Sequence, residues 1–147
     1  MSTKESLIHG TCVALGSGAA LLRGPSGAGK SDLALRFLDT YRGESAALIS
    51  DDQTRLAVCG SELIASAPEP IRGRLEVRGI GIVEVATRGE AVLALVVDLV
   101  DGADIERLPA DPAPHEEILG LSIPVFKLAP FEASAPLKLK LALDRVL

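Results

Sequence analysis

Eight residues constrain this chain more than any others: Gly24-Pro25-Ser26-Gly27-Ala28-Gly29-Lys30-Ser31, a full match to the pattern G-x-x-x-x-G-K-[ST]. Glycines in such a loop let backbone N–H groups converge on phosphate oxygens, and a following helix adds the positive end of its dipole. The lysine reaches the β- and γ-phosphates, and the serine hydroxyl reaches Mg²⁺. The pattern carries this meaning only between a strand and a helix, and both are legible. Residues 19–23 read as a strand, apolar up to Arg23, and Asp32-Leu33-Ala34-Leu35-Arg36-Phe37-Leu38-Asp39 places Leu33, Ala34, Phe37 and Leu38 on one helical face. All eight loop residues are therefore candidate nucleotide contacts, with Lys30 also catalytic and Ser31 also a metal ligand.

The 147 residues suit one domain, 1–147, and leave room for one sizeable core. With only Phe37, Tyr41, Phe126 and Phe131 as aromatics, that core must be built from Ala, Val, Leu and Ile. A net charge of −5 argues against a nucleic-acid partner, which would call for a basic footprint. The opening MSTKESLIHG has no long apolar segment of the signal-peptide kind. No apolar run approaches a membrane span; the longest, 91–97, has the length of a buried strand. A cytoplasmic protein with no membrane contact is expected.

Residues 7–15 read as one strand, joined through Gly16-Ser17-Gly18 to 19–23. Residues 46–50 form a short apolar strand, and 54–58 with 63–66 form a hairpin closed near Gly60-Ser61. The run 91–97 reads as a strand covered on both faces, LPADPAP (108–114) as a loop, and 116–119 and 123–127 as two more strands. The tail reads as a helix capped by Ser134. The class is α/β: a mixed sheet carrying the phosphate loop, with few helices. Cys12 and Cys59 form no CxxC pair and are expected to be small buried hydrophobes.

Further candidate chemistry lies in Asp51-Asp52, at the end of the strand 46–50. In an open α/β sheet the ligand sits outside the carboxyl ends of the strands, so this acid pair should face the phosphates. Two such carboxylates can divide the roles of metal partner and proton acceptor. Arg72, Arg74, Arg78 and Arg88 outnumber Glu76 and Glu84 in the stretch 72–88, which could present arginine forks to an anionic substrate. His9 and His115 are isolated, and no zinc-type cluster exists.

In order along the chain, these segments resemble the catalytic domain of bacterial HPr kinase/phosphorylase, which phosphorylates a serine of HPr, the phosphocarrier protein of the sugar phosphotransferase system, and can reverse the reaction. The matching pieces are Leu7-Ile8-His9-Gly10-Thr11, the loop 24–31, Leu48-Ile49-Ser50-Asp51-Asp52, and Leu75-Glu76-Val77-Arg78-Gly79-Ile80-Gly81-Ile82, which looks like the family signature. The resemblance covers roughly residues 5–127 and implies a fold similar to the catalytic domain of phosphoenolpyruvate carboxykinase. It implies ATP and Mg²⁺ as cofactors and an HPr-type protein as partner. By position, Asp51 matches the general base, Asp52 and Glu76 match acids around the metal, and His9 matches a histidine beside the catalytic acid. Arg78 belongs to the signature, and Arg107 matches an active-site arginine.

The resemblance is to the short form known among proteobacteria, for which no N-terminal domain of the family's usual kind is expected, and Pro25 stands where an acid is common. After Ile123-Pro124-Val125 the family's basic, Gly-containing loop is replaced by FKLAPFEASAP. That replacement leaves reverse phosphorolysis and the family's hexameric homo-oligomer open. Two other functions stay open on the residues alone: a small-metabolite kinase on the same scaffold, and a nucleotide-sensing regulatory module without turnover.

Overall fold

The computed structural model describes residues 4–69 and 73–147. The chain runs β1 (Glu5–His9), β2 (Thr11–Leu15), β3 (Gly18–Arg23), α1 (Lys30–Thr40), β4 (Ala47–Ser50), β5 (Gln53–Cys59), β6 (Glu62–Ser66) and β7 (Arg74–Val77). It continues with β8 (Gly81–Glu84), β9 (Glu90–Leu99), β10 (His115–Ile118), β11 (Leu121–Leu128) and α2 (Ala135–Val146). The main sheet has the order β1-β5-β6-β9-β3-β2-β4, with β11 and then β10 added beside β9. Strands β7 and β8 form a separate hairpin.

Strand β9 organises the sheet. Its first half pairs antiparallel with β6, while β3 and β11 run parallel to it. Its burial on both faces follows from the near-continuous apolar run 91–97. Opposite Ala19-Ala20 the register jumps from Leu93 to Leu95, so Ala94 is the extra residue of a bulge. The jump puts Leu93 and Leu95 on opposite sides of the sheet although they are two residues apart.

Two apolar layers sandwich the sheet. Leu33, Ala34, Phe37 and Leu38 of α1 and Ala135, Leu139, Ala142 and Leu143 of α2 cover one face, against Val13, Leu22, Leu95 and Val97. The other face packs Cys12, Leu21, Val96 and Ile49 against Leu56 and Leu63, which the curl of β5 and β6 brings over them. The expected mixed sheet with the phosphate-loop helix on one face is what forms, and the tail is the second helix.

Two expectations change. The stretch 7–15 is two strands, because the chain breaks at Gly10: β1 joins β5, whereas β2 joins β3 and β4. Gly10 donates its N–H to the Asp52 carbonyl at 2.7 Å, and a Cβ there would lie 2.8 Å from the Leu22 carbonyl oxygen. Cys12 is fully buried as expected, but Cys59 ends β5 beside the Gly60 turn and is exposed. Among the described residues, no helix is long and apolar enough to cross a membrane.

Candidate active site

The loop 24–31 leaves the end of β3 and enters α1 directly. Gly27 (φ 85°) and Gly29 (φ 97°) take left-handed backbone angles that a side chain would strain. Gly24 answers to packing instead: a Cβ there would sit 2.8 Å from that of Ala28. Ala28 donates its N–H to the Pro25 carbonyl at 3.0 Å, which curls the loop over the helix N-terminus. The first-turn N–H groups of α1 lack helical partners by construction, and a helix N-terminus of this kind favours an anion. Lys30 is buried, with Nζ donating to the carbonyl oxygens of Gly24 at 2.6 Å and Pro25 at 3.1 Å. The ammonium is thus held by two carbonyls of its own loop.

Beneath the loop, the two acids occupy different environments. Asp51 is buried and accepts three hydrogen bonds: to Oδ1 from the hydroxyls of Ser31 (2.7 Å) and Thr11 (2.9 Å), and to Oδ2 from the Glu76 N–H (3.1 Å). Asp52 is exposed, and its Oδ1 lies 2.9 Å from Nε2 of His9. Its backbone is left-handed (φ 65°), a conformation that Asp tolerates, and its N–H donates to Thr11 Oγ1 at 3.2 Å. Together with the Gly10 bond, this turn throws one carboxylate inward and the other into the open.

A cleft of about 800 Å³ joins these parts. Its polar end is formed by Ser26, Gly27, Lys30, Ser31, Asp51 and Asp52, and the β7–β8 hairpin adds Glu76 and Arg78. The hairpin turn requires Gly79 (φ 87°) and Gly81 (φ 121°), which explains the glycines of the signature. The hydroxyl and carboxylate oxygens of Ser31, Asp51, Asp52 and Glu76 are hard donors of the kind Mg²⁺ prefers. Among the described residues no group of three or more His, Cys, Asp and Glu could hold a metal.

Of the residues singled out by sequence, the fold brings Lys30, Ser31, Asp51, Asp52, Glu76 and Arg78 to one cleft, with His9 reaching it through Asp52. Arg107 is exposed in the segment between β9 and β10 and does not line the cleft. Arg72 lies outside the described residues. Sequence reasoning missed three residues. Thr11 joins both acids, and its only signal was its place after His9-Gly10. Arg36 and Phe131 flank the cleft on the helix side, and nothing local marks either one.

Comparison with known proteins identifies the family. The family model for the HPr serine kinase C-terminal domain matches residues 1–134. The chain is 31% identical over 138 residues to an HPr kinase/phosphorylase of Cupriavidus metallidurans, covering 87% of this chain and 41% of that protein. It is 35% identical over 134 residues to one of Clostridium acetobutylicum, covering 84% of this chain and 42% of that protein. It thus spans about two fifths of the length of the curated relatives it matches. The structure of the Hpr(Ser) kinase/phosphatase from Coxiella burnetii superposes with a TM-score of 0.78 at 27% identity, covering 95% of this chain and 94% of that one.

Proposed function

The chain belongs to the HPr serine kinase C-terminal domain family, and from that premise we propose that it is a protein serine kinase. It moves the γ-phosphoryl group of ATP to a seryl hydroxyl of an HPr-type phosphocarrier protein, with Mg²⁺ required, in the cytoplasm. The observation that carries this reading is the pair of bonds beneath the loop. Ser31 and Asp51 are joined at 2.7 Å, while the carboxylate of the neighbouring Asp52, exposed on the open side of the cleft, meets His9 at 2.9 Å.

Each side chain then has a task. Lys30 leaves the Gly24 and Pro25 carbonyls to contact the phosphate oxygens, where its charge is worth most as negative charge redistributes in the transition state. Ser31 and Asp51 would hold Mg²⁺, with Glu76 close by. The ion would neutralise phosphate charge and fix the geometry of the leaving group. Arg78 faces the same cleft and offers a planar fork to phosphate or to the incoming protein.

The resemblance matched Asp51 to the general base, and the geometry favours the reverse division of labour. The Asp51 oxygens are already engaged by Ser31, Thr11 and Glu76, whereas Asp52 is exposed to an incoming hydroxyl and has an imidazole at 2.9 Å to stabilise it. Asp52 accepts the seryl proton, and His9 orients it. The same residue would return that proton if the reaction runs backward. The test is transfer of label from γ-labelled ATP to a purified HPr-type protein of the same organism, with the modified serine located by mass spectrometry. Binding of ATP with no label on any HPr-type protein would leave a nucleotide-binding module and sink the kinase reading.

A further inference from the structure

We propose that Phe131 is the platform on which the nucleobase stacks when the nucleotide's phosphates occupy the loop 24–31. The inference rests on the nucleotide reading above and adds to it the subsite for the base. The chain has four aromatic residues, and the other three are at least partly covered. Phe37 and Tyr41 are buried against each other with ring centroids 5.1 Å apart, and Phe126 is half-buried against the helix-side core. Phe131 is 70% exposed, in the segment between β11 and α2.

An exposed phenyl ring alone would need no explanation. This one is fixed at a particular place. Arg36, on the phosphate-loop helix α1, donates to the carbonyl of Pro130 and, at 3.2 Å, to that of Glu132, the residues on either side of Phe131. Asp32 in turn holds Arg36 through Nε at 3.0 Å. The ring leans on the loop itself, for a Cβ at Gly29 would lie 3.0 Å from two of its carbons. The backbone around the ring is thus tied to the helix whose N-terminus receives the phosphates.

The cleft lining offers both kinds of surface that a nucleotide meets. Its loop end offers N–H groups, Lys30 and Ser31 to an anion. Phe131 forms one apolar part of the lining, and Leu35, Ile80 and Ile82 form another, the two isoleucines being 77% and 68% exposed. A flat aromatic base suits such surfaces, and stacking on a side-chain ring accepts any base because every base has a π-face. The ring therefore contributes affinity for nucleotides without strong discrimination between adenine and guanine.

Binding of ATP, GTP and base-free tripolyphosphate should be measured with Mg²⁺ on the wild-type chain, Phe131→Ala and Phe131→Trp. Phe131→Ala is expected to weaken ATP and GTP roughly five- to a hundredfold, the range for removing one stacked base. Tripolyphosphate should bind within about twofold of wild type. Phe131→Trp should restore ATP affinity and, because the chain has no other tryptophan, report ATP but not tripolyphosphate by fluorescence quenching. Equal ATP affinity in wild type and Phe131→Ala, or equal losses for ATP and tripolyphosphate, would overturn the platform and leave the nucleotide reading intact. A wild-type chain that binds neither ATP nor tripolyphosphate would overturn both.

Discussion

The hydroxyl of Ser31, in the first turn of the phosphate-loop helix, donates to Oδ1 of Asp51 at 2.7 Å across twenty residues of sequence. That bond ties the loop to the end of β4, and it sets the next residue, Asp52, on the open side of the turn. The division of the acid pair follows from it, and so does the first expectation.

Asp52→Asn should lower phosphotransfer by about 10²–10⁴-fold, the usual contribution of general-base assistance. Mg²⁺–ATP binding should persist, because the loop, Lys30, Ser31 and Asp51 are untouched. Asn also tolerates the left-handed backbone at this position. Asp51→Asn should weaken Mg²⁺-dependent ATP binding as well as turnover. The opposite pattern, with Asp51→Asn losing only turnover and Asp52→Asn losing metal-dependent binding, would return the base to Asp51.

Lys30→Ala removes the ammonium that tracks the transferring phosphoryl group. Turnover should fall far more than the melting temperature, since the charge acts chiefly in the transition state. Its partners within the fold are two carbonyls of its own loop. Near-normal transfer by this variant would show that the loop is not the catalytic phosphate site.

Thr11→Val keeps the shape of a fully buried side chain but deletes the hydroxyl that donates to Asp51 and accepts from the Asp52 N–H. Leaving such groups short of a partner costs about 1–3 kcal/mol. We expect a lower melting temperature together with reduced turnover, and Thr11→Ser should recover much of both. A Thr11→Val enzyme with full activity would show that the acid pair needs no such brace.

The two thiols should separate cleanly. Cys12 is fully buried, and desolvation pushes its pKa well above the usual thiol range, whereas Cys59 is exposed. An aromatic disulfide reagent should titrate one thiol in the native protein and the second only after denaturation. Rapid reaction of both in native buffer would contradict the packing of Cys12 between β3 and β4.

The last residue of β3, Arg23, bonds Glu116 at 2.7 and 2.9 Å and Asp98 at 2.8 and 3.1 Å, clasping β3, β9 and β10 just before the phosphate loop. Hydrogen bonds from Arg23 hold Glu116 below the ordinary glutamate range. A depressed folded-state pKa stabilises the fold above the unfolded value and loses that contribution as pH falls through the folded value. Between about pH 5 and pH 3 the wild-type melting temperature should therefore fall more steeply than that of Glu116→Gln. The difference should be a few degrees at most, because Glu116 is 45% exposed. Parallel curves would mean that the clasp carries no pH-dependent stability.

What the sequence determined by itself was whatever is decided over a few consecutive residues. The phosphate loop is legible because its glycines, lysine and serine act within one turn between a strand and a helix. The strand 91–97 is legible because an unbroken apolar run needs cover on both faces. The signature 75–82 is legible as a pattern, though only the hairpin shows why its glycines are there. Other features depend on residues far apart in the chain. Gly10 reads as an ordinary strand residue until Asp52 bonds its N–H and Leu22 leaves no room for a Cβ, and its break is what sends the His9 side chain to the Asp52 carboxylate and the Thr11 hydroxyl to that of Asp51. Adjacent aspartates are equivalent in a sequence; three donors around the buried one and an exposed imidazole beside the other make them unequal. Arg36 and Phe131 stand ninety-five positions apart, and their place beside the loop follows from α2 and the segment before it docking on the same face of the sheet as α1. Tertiary structure decided these matters because hydrogen bonding and burial depend on distance in space, and periodicity along the chain carries no record of it.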